Sequence, residues 1–482
     1  MEFDLTKPHC YWFNEISKIP HPSRHEKAIS DYIVEFAKER GLAWKQDHVW
    51  NVIVEKPATP GYEDAEPIIL QAHTDMVPAK TDGSDHNFET DPLKLYVDDE
   101  GWLHAEGTTL GDDDGHGVAY MLAILDDDEL PHPMIQCYFT TMEEIGLLGA
   151  MELKAEDIKA DRMISLDGGG ETSTAISSAG GCSVYVHGDI RWKENTLPGY
   201  ELTVAGLKGG HSGGIDKEKG NAITIAARII EELRNKCLDV HISAFSGGEK
   251  DNAIPRTASV VFASAADAQK LQEAVNTSFS NIRTELEFSD PDVAVTLNKD
   301  IPVCRTMQDE LGNAVIDYAY LAPNGFQHKS MVIEGLTVTS LNLGVVTTGE
   351  NEILFDTLIR SAMDSASDDL SDKLHKLADI LGLRYELAGK YSGWNYEPVS
   401  PMRDLMKEIV EKYGGTYEQF AVHGGCECGV FKALNPKLDI LTFGPIGTGA
   451  HTPEEKLNLA SFDRSYEMLK EMVSRYVKRV TV

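Results

Sequence analysis

Apolar residues at Ile29, Tyr32, Ile33 and Phe36 recur at the three- and four-residue spacing of one helix face, closed by Gly41. Ser23 and Glu26 stand three apart just before it and predict a capping box, the serine hydroxyl and the glutamate satisfying free amides at the helix start. Three short unbroken apolar runs follow, Ile68–Ala72, Ile135–Thr140 and Met163–Leu166. Each has the length of a buried strand and ends in polar or glycine-rich residues. Helical periodicity between them, as in Val118–Leu125, predicts crossover connections and a mainly parallel sheet.

The pattern changes near residue 185. Val184–Ile190 and Glu201–Val204 alternate like half-exposed strands, and Ile223–Leu233 is an amphipathic helix. Further strands are predicted at Ser259–Ala263, Val293–Leu297 and Leu336–Leu341, with a helix over Asp368–Leu381. From Trp394 the earlier style returns: a helix at Pro401–Tyr413, a strand at Asp439–Phe443 and a last helix after Ser461. The fold class is therefore α/β, a mainly parallel sheet with flanking helices, interrupted by an inserted α+β domain. The boundaries read as 1–185 and 395–482 for the two parts of the α/β domain and 186–394 for the insert.

Composition narrows the function. Of 482 residues, 78 are acidic and 44 basic, giving a formal charge of −34. So negative a chain repels nucleic acid and anionic membrane, whose binding needs clustered lysine and arginine. No run of about 18 apolar residues exists to span a bilayer. The polar opening MEFDLTKPHC predicts no secretory signal. Seven scattered cysteines do not form a disulfide framework, and the expected location is a reducing cytoplasm.

Five segments place histidine or carboxylate just after expected strands: His73-Thr-Asp75, Asp112-Asp113-Asp114, Glu143-Glu144, Asp167-Gly-Gly and His451-Thr-Pro. In open α/β sheets the functional crevice lies beyond the carboxyl ends of the strands, where residues distant in sequence converge. Singly, each has a bland reading as a solvated turn, a helix start or a lone hydrogen-bonding histidine. Together, two imidazoles and several carboxylates suit a pair of divalent ions, zinc first and cobalt or manganese next.

These segments resemble the dinuclear zinc metallopeptidase superfamily of carboxypeptidases, aminoacylases and dipeptidases. Longer stretches are similar to its Xaa-His dipeptidase (carnosinase-like) subgroup: Ile19-Pro-His-Pro-Ser23, Leu70-Gln-Ala-His-Thr-Asp-Met-Val77, Gly101-Trp-Leu-His-Ala-Glu-Gly-Thr-Thr-Leu-Gly111, Asn252-Ala-Ile-Pro-Arg256 and Gly424-Gly-Cys-Glu-Cys-Gly429. The resemblance implies a zinc-peptidase-like catalytic domain and a lid inserted into it. It implies that Asp113 bridges two metals, with His73 and Asp167 completing one site and Glu144 and His451 the other. Asp75 would orient His73 through its second ring nitrogen, and Glu143 would be the general base toward a metal-bridging hydroxide. His211, in Gly209-Gly-His-Ser-Gly, would face the oxyanion, while Asn252 and Arg360 would hold the substrate backbone and its terminal carboxylate.

The implied activity is cleavage of short unblocked peptides, Xaa-His dipeptides among them. Two alternatives use the same metals: an N-acyl amino acid deacylase, and a non-catalytic metal-dependent binding protein. The implied partners are a small peptide substrate and a second copy of the chain, a homodimer through the lid. Two departures from the subgroup pattern stand out. Three consecutive aspartates occupy the bridging turn, leaving the bridge open to a one-residue shift, and Gly168-Gly169 replaces Ser-Glu after Asp167.

Overall fold

The computed structural model describes residues 3–217 and 219–475. The chain divides into two compact units. One comprises the residues up to Ser178, Gly393–Ala421 and those from Gly425 onward; the other comprises Ala179–Ser392 and Val422–Gly424.

The first unit is built on a six-stranded sheet in the order Ala43–Gln46, Val52–Lys56, Ile135–Thr140, Ile68–His73, Arg162–Ser165, Asp439–Thr442. The first two pairings are antiparallel and the other three parallel. The central strands Ile68–His73 and Ile135–Thr140 are buried at every position, which is why they read as continuous apolar runs rather than alternating ones. Helix Asp112–Asp126 is apolar nearly all round and buried along its length, and it shares one core with helices Lys27–Glu39, Pro401–Lys412 and Leu459–Ser474. The α/β class with a discontinuous sheet domain matches the sequence expectation.

The capping box does not form. The helix begins at Lys27 with no side-chain cap. Ser23 Oγ instead donates to Asp75 Oδ2 at 2.7 Å, and Glu26 Oε1 accepts from the Met142 amide at 3.0 Å. Water can satisfy exposed helix amides, whereas a buried carboxylate and a buried loop amide have only protein partners, so the interior demand wins.

The second unit is a nine-stranded antiparallel sheet, Ala294–Lys299, Gly199–Ala205, Ala258–Ala263, His241–Gly247, Thr337–Thr348, Glu352–Ser361, Gly180–Asp189 and Arg384–Tyr391 in order, with Gly325–Lys329 beside Thr337–Thr348. Helices Ala222–Asn235, Ala268–Glu285, Asp309–Leu321 and Asp364–Ile380 bury their apolar stripes with alternate sheet residues in a separate core. The first of these is capped by Asn221, whose Oδ1 accepts from the amides of Ile223 and Thr224. No helix among the described residues is long and apolar enough to cross a membrane.

Candidate active site

Strand ends bring the first cluster together. His73 closes strand Ile68–His73, the Glu143–Glu144 loop follows Ile135–Thr140, and Asp167 follows Arg162–Ser165. Asp113 lies in a non-helical turn at the start of Asp112–Asp126, before a cis peptide to Asp114. His451, in the left-handed region at φ 65°, lies in the loop joining the short strands Gly447–Thr448 and Lys456–Asn458.

Of the three aspartates, Asp113 is the one whose carboxylate faces both His73 and His451. Asp113 Oδ1 is 3.0 Å from His73 Nε2, and Oδ2 of the same carboxylate is 3.3 Å from His451 Nε2. Asp112 and Asp114 instead face His116, at 3.1 and 3.4 Å. Ligand atoms of His73, Asp113 and Asp167 lie within 4.8 Å of one another, as do those of Asp113, Glu144 and His451. His451 Nε2 is also 2.9 Å from Glu144 Oε1. One carboxylate is thus shared by two histidine–carboxylate sets.

Asp75 does more than face its neighbour. His73 Nδ1 donates to the Asp75 carbonyl at 3.0 Å, with the carboxylate at 3.5 Å. The Asp75 carboxylate accepts from the amides of Glu143 and Glu144 at 3.0 and 3.3 Å, so it fixes the loop that carries both glutamates.

The cluster holds more negative charge than its imidazoles neutralise. Burial, together with Asp167, Glu427 and Glu144, drives the Glu143 carboxyl well above its ordinary range despite His73. Burial and the neighbouring Asp113 push Asp167 up to about 6. The His451 imidazolium is stabilised by Asp113 and then Glu144, which raise it to about 10. Such a set of hard and borderline donors, converging on a shared carboxylate, fits two divalent cations in chemistry and charge. A cavity of about 290 Å³ reaches Asp113 and Asp167 beside Gly447–Ala450.

The second unit carries its own polar cluster. His211 pairs with Ala253 across a short two-stranded ladder, next to Asn252. The Asn252 carbonyl accepts from the Ser212 amide at 2.8 Å, and Ser212 Oγ accepts from Arg360 Nε at 3.1 Å. His211, Asn252 and Arg360 are therefore joined through Ser212. The Gly213 amide donates to His211 Nδ1 at 3.0 Å, which leaves the proton of the neutral ring on Nε2. Arg360 is 6% exposed, yet no carboxylate lies within ion-pair distance of it among the described residues.

The sequence profile of peptidase family M20/M25/M40 matches residues 69–475. The chain belongs to this family. It is a hydrolase acting on peptide bonds. The peptidase is 36% identical over 479 residues to the cytosol non-specific dipeptidase of Escherichia coli (strain K12), covering 98% of each chain. Its structure is similar to that of the aminoacylhistidine dipeptidase from Vibrio alginolyticus, with a TM-score of 0.91, 34% identity, and coverage of 100% of this chain and 99% of that one. A tripeptidase from Staphylococcus aureus shares the fold, with a TM-score of 0.54, 17% identity and 97% coverage of both chains.

Residues beyond the expected set hold the first cluster in place. Glu455 Oε2 accepts from the amides of Leu110 and Gly111 at 2.7 and 2.9 Å, and Oε1 from the Asp113 amide at 3.2 Å. It ties the His451 loop to the Asp113 turn, and burial raises its carboxyl to about 7. Glu427 Oε2 accepts from Gln71 Nε2 and Thr140 Oγ1, both at 2.6 Å, bolting together the strands that end in His73 and Thr140. His116 Nε2 donates to the Leu166 carbonyl at 2.8 Å, beside Asp167. The only sequence signal for Glu455 is its position four residues after His451. Gly168 leaves no room for a side chain, since a Cβ there would meet the Phe443 amide nitrogen at 2.5 Å, whereas a Cβ at Gly169 would meet nothing within 4 Å.

Proposed function

We propose that this chain is a two-metal dipeptidase that hydrolyses short unblocked peptides, Xaa-His dipeptides among them, in the cytoplasm. The observation that carries the reading is the Asp113 carboxylate shared between the His73/Asp167 and His451/Glu144 sets. The relatives named as dipeptidases and the full-length likeness to one of them support it.

His73 and Asp167 would hold one ion, Glu144 and His451 the other, with Asp113 common to both. Two divalent ions there, zinc by preference, supply Lewis acidity toward a peptide carbonyl and make a nearby water acidic enough to ionise near neutral pH. Glu143, held beside them by Asp75, takes the proton of the attacking water and delivers it to the leaving amine nitrogen. His211, with its ring proton on Nε2, is the donor proposed for the developing oxyanion. Arg360 is the receptor proposed for the terminal carboxylate, and Asn252 for the substrate backbone. A homodimer through the second unit belongs to the same reading, and sedimentation would test it.

The test is metal analysis of the purified protein together with hydrolysis of Xaa-His dipeptides, other dipeptides, tripeptides and N-acetyl amino acids, before and after chelation. About two ions per chain with chelator-sensitive dipeptide cleavage is the expected result. Turnover of the acetylated substrates alone would replace this reading with a deacylase. Bound metal without any turnover would replace it with a metal-dependent binding protein.

A further inference from the structure

His423 is 8% exposed and belongs to the second unit. Its Nε2 is 2.7 Å from Ser340 Oγ. Ser340 stands directly opposite Arg360 in the antiparallel pairing of Thr337–Thr348 with Glu352–Ser361. Directly opposed residues project to the same face about 5 Å apart. Arg360, Ser340 and His423 therefore form one buried group, joined to Ser212 through Arg360 Nε. The group contains one permanent cation, no carboxylate within ion-pair distance among the described residues, and an imidazole whose Nδ1 makes no hydrogen bond among them. Burial first and Arg360 second push His423 down to about 4, so at neutral pH the ring is uncharged.

We propose that His423 is a second receptor for the substrate's terminal carboxylate beside Arg360, with Ser340 donating to Nε2 and so holding the proton on Nδ1. The inference rests on the role proposed above for Arg360 and adds a specificity residue to it. Its physical basis is the cost of burying charge. A second buried cation next to Arg360 would repel it and require its own desolvation, whereas a neutral N–H adds a hydrogen bond to an anion without either cost. A neutral imidazole has a single N–H, so the Ser340 contact decides whether Nδ1 donates or accepts. Carboxylate recognition by a fork and a fixed neutral donor disfavours a chain that continues as an amide, because the amide nitrogen would present its own hydrogens to both. Dipeptides and N-acyl amino acids both end in a free carboxylate, so the inference holds under either substrate class.

The experiment compares a dipeptide with its C-terminal amide on the metal-loaded wild type and on the variants His423→Gln, His423→Asn and Ser340→Ala. An asparagine amide nitrogen falls near the histidine Nδ1 position, and a glutamine amide nitrogen near Nε2. The expected result is a KM about tenfold higher for the free carboxylate in His423→Gln, with kcat within about twofold and the amide substrate unaffected. His423→Asn should recover most of that loss, and Ser340→Ala should show about a threefold rise through loss of the tautomer constraint. Equal effects on both substrates, identical behaviour of Asn and Gln, or a fall in kcat in place of a rise in KM would overturn the proposal. Thermal stabilisation by free histidine against histidinamide gives the same discrimination without turnover. If the wild type cleaves nothing, the peptidase reading fails, while this contrast still decides whether His423 receives a carboxylate.

Discussion

The two units bury uncompensated charge of opposite sign. In the first, Asp113, Asp167, Glu143 and Glu144 crowd against two imidazoles, and burial together with the neighbouring carboxylates raises Glu143 and Asp167 above their ordinary range. In the second, Arg360 is enclosed with neutral or hydroxyl partners and suppresses protonation of His211 and His423, in each case after the larger effect of burial. Buried charge without a partner is costly, and a fold that retains it at a cleft calls for a ligand of the other sign. The first unit calls for cations and the second for an anion. Under the proposed function the contrast would separate the two jobs of a peptidase: one region would activate the water and the carbonyl, and the other would recognise the end of the chain.

The strongest way to break the comparison is to remove the shared carboxylate. Asp113→Ala should reduce bound metal from about two ions to fewer than one and abolish turnover, read by metal analysis on the purified variant. Retention of both ions would show that Asp113 does not bridge. Glu143→Gln comes next. It should keep both ions and lower kcat by about 10² to 10⁴-fold, the range of a general base; unchanged turnover would remove Glu143 from the mechanism.

In the first unit, His73, Glu143, Glu144 and Asp167 were legible as strand-end positions, marked by the switch from an apolar run to polar residues, whereas Asp113 opens a helix and His451 lies in a loop beyond a two-residue strand. The supports were not. Glu455 reaches the amides of Leu110, Gly111 and Asp113 across some 340 residues of sequence, and Glu427 reaches Gln71 across a similar gap. No local periodicity encodes which distant amides a buried carboxylate will find. The failed capping box has the same origin: Ser23 and Glu26 satisfy the local rule, but Asp75 and Met142 claim them. In the second unit, alternation gave the strand at Ser259–Ala263 nearly in full but only the later part of Gly180–Asp189, whose first three residues are buried without alternation. The link of Arg360 to Ser340 and His423 depends on strand register, which the alternation alone leaves open.

A smaller effect sharpens the role of those supports. Glu455→Gln should keep the side chain's size while replacing one acceptor oxygen by a donor that opposes the amides it now serves. Metal affinity or kcat/KM should fall about 10- to 100-fold, as for other groups that position ligands without binding the ion. Competition with a graded chelator measures the affinity directly. An effect as large as that of Asp113→Ala would make Glu455 a ligand in its own right, and the division between holding and supporting groups would have to be redrawn.

A stability measurement tests the electrostatics of the second unit away from any metal. Burial lowers His423 from 6.5 to about 4, with Arg360 adding to it. Between those values the unfolded chain binds more protons at this site than the folded one, so its contribution makes stability rise with pH from about 4 to 6.5 and level off above. Because the ring is well enclosed, that contribution is about 3 kcal/mol. Asp356 has the opposite sign. Burial and then Asp251 raise it from 3.8 to about 7, so its contribution is fully present below pH 3.8 and is lost as pH rises through 7. Asp356 is only partly enclosed, and screening reduces its share to about 1 to 2 kcal/mol. The melting-temperature difference between wild type and His423→Gln should therefore shrink as pH falls from 6.5 to 4. Asp356→Asn should gain on the wild type as pH rises from 4 to 8. Parallel pH curves for wild type and His423→Gln would mean that burial and Arg360 together do not hold the imidazole neutral, and the second unit would then lose the charge asymmetry that sets it against the first.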